Sequence, residues 1–391
     1  MKKQLVLVTG LAVLAAPAFA SKARMQALGE SVNGSQYIND NRNIFLNAAH
    51  VNNHKDLVTF ETGANSQVAE SAAAPRAEGG YFFSNGNMVY GVQLGQQSDT
   101  AHALRAGAGI IAPGAGNANL PRLAERNTVD LFVGGDAGVK WGASLLYSSS
   151  EDKSATGTDD VKEQESMRAR IGASQGNWDA FANISLANEA KDGIGDKFEG
   201  KLGYQLGGSY MLNSYTLFAN YSSFEGEGTI AGDKKDISLN VYEVGVGRAT
   251  KLNDKTQLFT KVSYRSTNAE NDRITAPADV NGANFAVKKR ETKALPVVIG
   301  LEHDALAWLT LRGSVGQNVV INEVKAQDKN TATSTTIVNA GATLKFGDLS
   351  VDGVIGNTTA GTDGATTIGE NANGQLRLDT LMSRVSMTYR F

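Results

Sequence analysis

The feature that most narrows what this chain can fold into is a period-2 alternation of apolar with small or polar residues from about residue 126 to the end. Successive side chains of a strand point to opposite faces, so such stretches build a sheet with two chemically different sides. The last eleven residues show it best. Leu381, Ser383, Val385, Met387, Tyr389 and Phe391 share one parity, and Met382, Arg384, Ser386, Thr388 and Arg390 the other. Leu258, Thr260, Val262 and Tyr264 oppose Phe259, Lys261, Ser263 and Arg265 in the same way, as Met167, Ala169, Ile171 and Ala173 oppose Arg168, Arg170, Gly172 and Ser174. With 43 Gly and 6 Pro in 391 residues, composition favours strands and turns over disorder or a helical bundle.

A soluble sandwich alternates too, so turn spacing must decide. Short turns fall near Asn85-Gly86, Asp136-Ala137-Gly138, Gln175-Gly176-Asn177, Leu212-Asn213-Ser214, Asn253-Asp254, His303-Asp304-Ala305 and Gly347-Asp348. Between them lie longer polar segments, near 63–78, 97–125, 151–162, 190–197, 226–234, 271–287, 327–333 and 359–379. Regular alternation of short turn and long loop predicts an all-β, transmembrane antiparallel β-barrel with short periplasmic turns and long external loops. Counting weak segments at 56–62 and 79–84 gives about 16 strands, and omitting them about 14. Trp141, Trp178 and Trp308 follow short turns closely, as does Tyr215, which predicts an interfacial aromatic girdle. Parity places Trp308 inward with Arg312, so either a bulge intervenes or this Trp is lumenal.

Lys2, Lys3, an apolar run from Leu5 to Leu14, and Ala18-Phe19-Ala20 read as a secretory signal peptide cleaved after Ala20. The expected organisation is 1–20 signal peptide, 21–55 N-terminal segment and 56–391 barrel. Met25 and Leu28, then Ile44, Phe45, Ala48 and Ala49, give the N-terminal segment a short helical pattern, and it lies either in the lumen as a plug or in the periplasm. The absence of Cys excludes disulfides, thiolate metal sites, a Cys nucleophile and N-terminal acylation. A balance of 37 basic against 40 acidic residues lacks the basic field that nucleic-acid binding needs.

The inward parity carries Lys140, Arg168, Arg170, Lys201, Lys261, Arg265, Arg312, Lys345, Arg384 and Arg390 against Asp130, Asp136, Asp179, Glu302 and Asp352. Such charges cost about 2–4 kcal/mol on a lipid face, so they belong to an aqueous pore, and their excess predicts a mild anion preference. The longest loop, 97–125, is the candidate constriction, with Asp99, Arg105, Arg122, Glu125 and Arg126 as its polar groups. Two motifs lose to the strand reading. Gly107-Ala108-Gly109-Ile110-Ile111-Ala112 matches a dinucleotide pattern, but Pro113-Gly114 denies it the helix, and Gly172-Ala173-Ser174-Gln175-Gly176 matches a nucleophile elbow yet is followed by strand. His50 and His54 have metal-pair spacing without a third ligand and read as surface residues, so no metal or cofactor is expected.

The signal peptide, the alternating strands and the ending Val385-x-Met387-x-Tyr389-x-Phe391 together resemble bacterial outer-membrane β-barrels of the porin type. That resemblance implies that Val385, Met387, Tyr389 and Phe391 form the signal read by the barrel-assembly machinery. It also implies an outer-membrane location among lipid, passive diffusion of small solutes or ions, and a homotrimer. In that family the third external loop usually constricts, whereas the longest here is the second. Ala23 to Gly29, Tyr37-Ile38 and Asn47-Ala48-Ala49-His50 are similar to the start of porin-like proteins of predatory Gram-negative bacteria. Two other readings stay open: a structural or adhesive barrel with a closed lumen, and a barrel hydrolase built on His102 with Asp99 or on His303-Asp304.

Overall fold

Where the alternation is strongest the chain forms strands, and the computed structural model describes them within residues 21–63, 76–96, 127–151, 161–192, 195, 197–230, 233–271, 289–326, 328–331, 336–357 and 384–391. The first are β1 (Leu57–Gly63), β2 (Arg76–Asn85), β3 (Met88–Leu94), β4 (Val129–Asp136), β5 (Lys140–Glu151) and β6 (Val161–Gln175). Then come β7 (Trp178–Asp192), β8 (Lys197–Gly200), β9 (Gly203–Leu212), β10 (Tyr215–Ile230), β11 (Asp233–Asn253) and β12 (Thr256–Asn271). The last are β13 (Lys289–Leu306), β14 (Leu309–Ala326), β15 (Asp328–Thr331), β16 (Thr336–Phe346), β17 (Leu349–Asn357) and β18 (Arg384–Arg390).

All pairings are antiparallel, and β1 pairs with both β2 and β18, which closes the sheet on itself. Strands β8 and β9 both lie between β7 and β10, and β15 and β16 both pair with β14. Each of those two pairs is therefore one interrupted stave, and the barrel has 16 staves. The weak segments at 56–62 and 79–84 are real strands, and they are the ones that make closure possible. These strands carry Glu61 and Glu78, directly paired in register, and both side chains are buried toward the lumen.

The short turns gather at one end. Gly86, Gly138, Gly176 and Gly347 adopt positive φ there, as Asn213 does with φ 56°, a conformation that Asn tolerates better than other side-chain-bearing residues. Two expected loops are corrected: the 226–234 segment is mostly strand, because β10 continues to Ile230 and β11 starts at Asp233, and the 327–333 segment contains β15, which pairs back onto β14.

Outward residues form a continuous apolar belt that includes Phe60, Tyr81, Leu131, Leu145, Ile171, Leu206, Leu217, Val244, Val262, Ile299, Val315 and Met387. Exposed apolar surface that runs round a closed barrel is the signature of a lipid-facing wall. Near the short-turn end, Tyr90, Phe83, Tyr81 and Phe391 stack in a row with ring centroids 5.5–5.7 Å apart. Trp308 sits in the β13–β14 turn and is half-exposed, beside a register shift at Asp304/Leu306, so the bulge explanation holds.

Inward positions are not all polar. In β11, Ile237 and Leu239 point inward and are buried, Glu243 shares their face, and Tyr242 and Val244 meet lipid. Apolar residues there are not lipid-facing, because Phe224, Leu239 and Ala269, with Phe198 and Val241, pack as an apolar cluster inside the wall.

Candidate functional site in the plugged lumen

Residues 21–54 form three short helical pieces: a helix at Lys22–Ala27 and 3₁₀ turns at Asn41–Phe45 and Ala48–Asn53. Ser21, Asp40 and Asn47 cap them by accepting backbone N–H bonds from Arg24, Arg42 and Ala49. Helices this short do not persist alone in water, so packing must hold them. Met25, Leu28 and Ile38 pack on Phe259 of β12, while Ile44, Phe45 and Val51 pack on Leu57, Phe82, Val89 and Phe132 of β1 to β4. Those partners are inward side chains from well-separated parts of the wall, so the segment occupies the lumen. Its contacts lie in the half of the barrel nearer the short turns.

Glycine on the inner wall makes room for it. Gly134, Gly142 and Gly172 stand side by side in register across β4, β5 and β6. A Cβ at Gly142 would collide with the Ala48 carbonyl, at Gly172 with the Asn47 side chain, and at Gly134 with Val51. The sequence reading took glycine as a mark of strands and turns. The available signal was an inward parity that repeats Gly on three neighbouring strands.

Buried ion pairs fix the plug. Arg42 donates to Glu61 (3.4 Å), Glu78 (3.2 Å), Gln96 (2.9 Å) and the Val32 carbonyl (2.8 Å), and its guanidinium lies 4.1 Å from the Phe45 ring centroid. Arg24 bridges Asp40 (2.8 Å) and Glu302 (2.9 Å), and these carboxylates keep it charged although burial opposes this. Lys22 pairs with Glu78, Lys261 with Glu30 (2.7 Å), and His50 with Asp179 (3.1 Å).

Most of the predicted pore-lining cations prove to be engaged. Arg170 pairs with Asp130 and bonds Ser144, Arg312 bridges Glu302 and Asp352, Lys345 pairs with Asp304, and Lys201 pairs with Asp236. Lys140 donates to Asn53, Arg168 donates to Gln205, and Arg384 is buried. Arg390 is partly buried at the barrel end, and Arg265 lines open lumen. Carboxylates that parity did not assign to the lumen, Glu30, Glu61, Glu78, Glu243 and Asp304, neutralise much of the basic excess behind the anion expectation. Asp99, Arg105, Arg122, Glu125 and Arg126 lie outside the described residues.

Two cavities flank the plug. One of about 830 Å³, toward the long loops, is lined by Tyr37, Asn220, Phe224, Glu243, Lys261 and Arg265 among others. The other, about 390 Å³ at the short-turn mouth, is lined by His50, Asp136, Lys140 and Asp179 among others. Among the described residues no three His, Asp or Glu side chains converge as a metal site.

The surface reading of His54 is corrected. It is 4% exposed, and neither ring nitrogen has a partner among the described residues. Burial, then the nearby charges of His50, Arg390, Arg24 and Lys140, push its pKa down to about 3. An undocked His54 takes its proton near 6.5, so its contribution to docking is complete above that pH and fades as pH falls toward 3. The loss is about 2 kcal/mol at about pH 5. Asp40 acts the other way, because burial pushes its carboxyl up to about 6 despite Arg24, and it gains a proton over the same range. The His54→Phe variant isolates the histidine. Protease cleavage within residues 21–55 should rise on acidification more steeply in the native chain than in the variant, and equal slopes would contradict this role.

A closed, lipid-belted barrel of 16 staves, its lumen occupied by the chain's own N-terminal segment, defines a transmembrane β-barrel of the outer-membrane kind. No family model and no curated protein matches the sequence. Solved structures similar to it include a bacterial polysaccharide outer membrane secretin (TM-score 0.47, 8% identity, covering 86% of this chain and 97% of that one). A Pseudomonas aeruginosa FadL homologue is similar at TM-score 0.41 and 12% identity, covering 95% and 98%, and an anion-selective porin from Comamonas acidovorans at 0.40 and 14%, covering 73% and 96%. Likeness at that level says nothing about cargo.

Proposed function

We propose that this chain is an outer-membrane channel for small polar solutes and ions whose resting lumen is narrowed by residues 21–55. The observation that carries the reading is the 830 Å³ cavity above the plug, whose wall mixes Gln205, Asn220, Glu243, Lys261, Arg265 and Asn339 with apolar side chains. A barrel serving only as a scaffold has no use for an open, charge-bearing chamber. Because most lumenal cations are paired, conduction should be weakly selective rather than strongly anion-selective.

The same reading keeps a signal peptide removed after Ala20 and an assembly signal at Val385, Met387, Tyr389 and Phe391. Met387, Tyr389 and Phe391 are exposed on the outer face, as a recognition strand requires. Lipid, the assembly machinery and a homotrimer are its proposed partners. A closed structural barrel is the second reading, and the buried Arg42 network favours it. We propose no enzymatic activity: His303 contacts Thr256 near the short-turn end, and His102 lies outside the described residues. Mature protein in a planar bilayer under a salt gradient tests the proposal. Small, stable ohmic steps with a reversal potential near zero are expected, and silence both in the bilayer and in solute-loaded vesicles would overturn it.

A further inference from the structure

Resting on that channel reading, we infer that Gln36 is the narrowest and selectivity-setting point of the conduction route, which runs beside the plug along the β9–β10 wall. Among the described residues, Gln36 is the one that lines both cavities. Its amide spans the gap: Nε2 donates to the Gly208 carbonyl of β9 at 3.0 Å, and Oε1 accepts from Asn220 Nδ2 of β10 at 2.9 Å. Breaking those two neutral hydrogen bonds joins the chamber above to the mouth below.

The rest of the plug is held more strongly. Arg24, Arg42 and Lys22 anchor it through buried ion pairs to β1, β2 and β13, on another part of the wall. Breaking such a pair leaves a charge buried without its partner, whereas the two neutral hydrogen bonds of Gln36 can be exchanged for bonds to water at little net loss. A side-chain swing of Gln36 is therefore the easiest way to connect the two cavities, with the plug still docked.

The chemistry at this point is an uncharged ring of donor and acceptor groups: the Gln36 amide, the Asn220 amide and the Gly208 carbonyl. Such a ring exchanges hydrogen bonds with a small neutral or zwitterionic solute and carries no fixed charge to sort ions. Selectivity should therefore follow whatever charge is placed at position 36.

The test compares the native protein with Gln36→Glu and Gln36→Lys in planar bilayers under a KCl gradient. The reversal potential should move toward cation selectivity for Gln36→Glu and toward anion selectivity for Gln36→Lys, while Gln36→Ala raises conductance by about twofold or more. Opposite shifts distinguish a pore-lining position from a merely loosened plug, which would move both charged variants alike. Because the native chain has no Cys, Gln36→Cys can also be probed with a membrane-impermeant cationic thiol reagent. Modification from either side of the bilayer, with conductance falling on reaction, is expected. If the native protein conducts but its reversal potential ignores the charge at 36, the inference fails while the channel reading stands. If no variant conducts at all, both fail.

Discussion

Deleting residues 21–55 should turn a narrow channel into a wide one, raising single-channel conductance from the small steps of the native chain to those of an open 16-stave pore. Barrels of that size leave an aqueous channel when nothing fills them, whereas about 8 staves are filled by their own side chains. The plug meets the wall at Phe259 on one side and at Leu57, Phe82, Val89 and Phe132 on another, so its removal vacates the short-turn half of the lumen. The wall tolerates the loss because Glu61, Glu78 and Glu302 exchange buried partners for water, which solvates carboxylates well. A Gly142→Leu variant should act in the same direction with the segment still attached. The new side chain must occupy the space where the Ala48 carbonyl now lies, and Gly134 and Gly172 on either side leave the plug no other bed. Unchanged conductance in both variants would mean that the segment does not limit flow.

Replacing Arg42 by Met should release the plug more thoroughly than any other single substitution of a charged side chain. The change leaves Glu61 and Glu78 facing each other in register with Lys22 and Arg384 still beside them but without the guanidinium that bonds both, and strips Gln96 and the Val32 carbonyl of their donor. Removing one member of a buried charge network costs about 3–5 kcal/mol, which is large against the docking free energy of a segment with three short helical pieces. Arg42→Lys should recover part of it, since Lys restores the charge but not the planar guanidinium that reaches four acceptors at once. Hydrogen exchange within residues 38–51 reads the effect, with protection falling in the order native, Arg42→Lys, Arg42→Met. Equal protection in all three would show that apolar packing around Phe45 alone holds the segment.

Much of the barrel was legible because lipid and water impose opposite demands on alternate residues. In β18, Arg384, Ser386 and Thr388 are buried toward the lumen while Met387 and Tyr389, with Phe391 just beyond the strand, are exposed outside, as parity requires. The short turns were equally readable, since Gly86, Gly138, Gly176 and Gly347 all need positive φ. Parity misleads where the lumen itself is apolar. Ile237 and Leu239 look lipid-facing in isolation and turn inward because Phe224 and Ala269 wait for them there. The lumenal charges were recognised by type but not by partner, for Glu61 and Glu78 sit in weak strands and Arg42 lies outside the barrel pattern altogether. Ion pairing between segments far apart in sequence leaves no periodic trace, so the plug's anchors emerge only in three dimensions.

Whether the N-terminal segment lies inside the barrel is decided by one cross-link. A Cβ at Gly341 of β16 would stand 2.7 Å from the Cβ of Ala27 and 2.9 Å from the Gly353 carbonyl, so an Ala27→Cys/Gly341→Cys pair in this cysteine-free chain needs the plug to draw back by about 1 Å to reach the roughly 3.5–4.5 Å separation of a disulfide. Mild oxidation of the folded, membrane-embedded protein should join the pair in nearly every molecule, with a mobility shift on gels that reductant reverses. Failure to cross-link, with Ala27→Cys alone reacting freely with an impermeant thiol reagent from the short-turn side, would place the segment outside the lumen and contradict the plugged barrel.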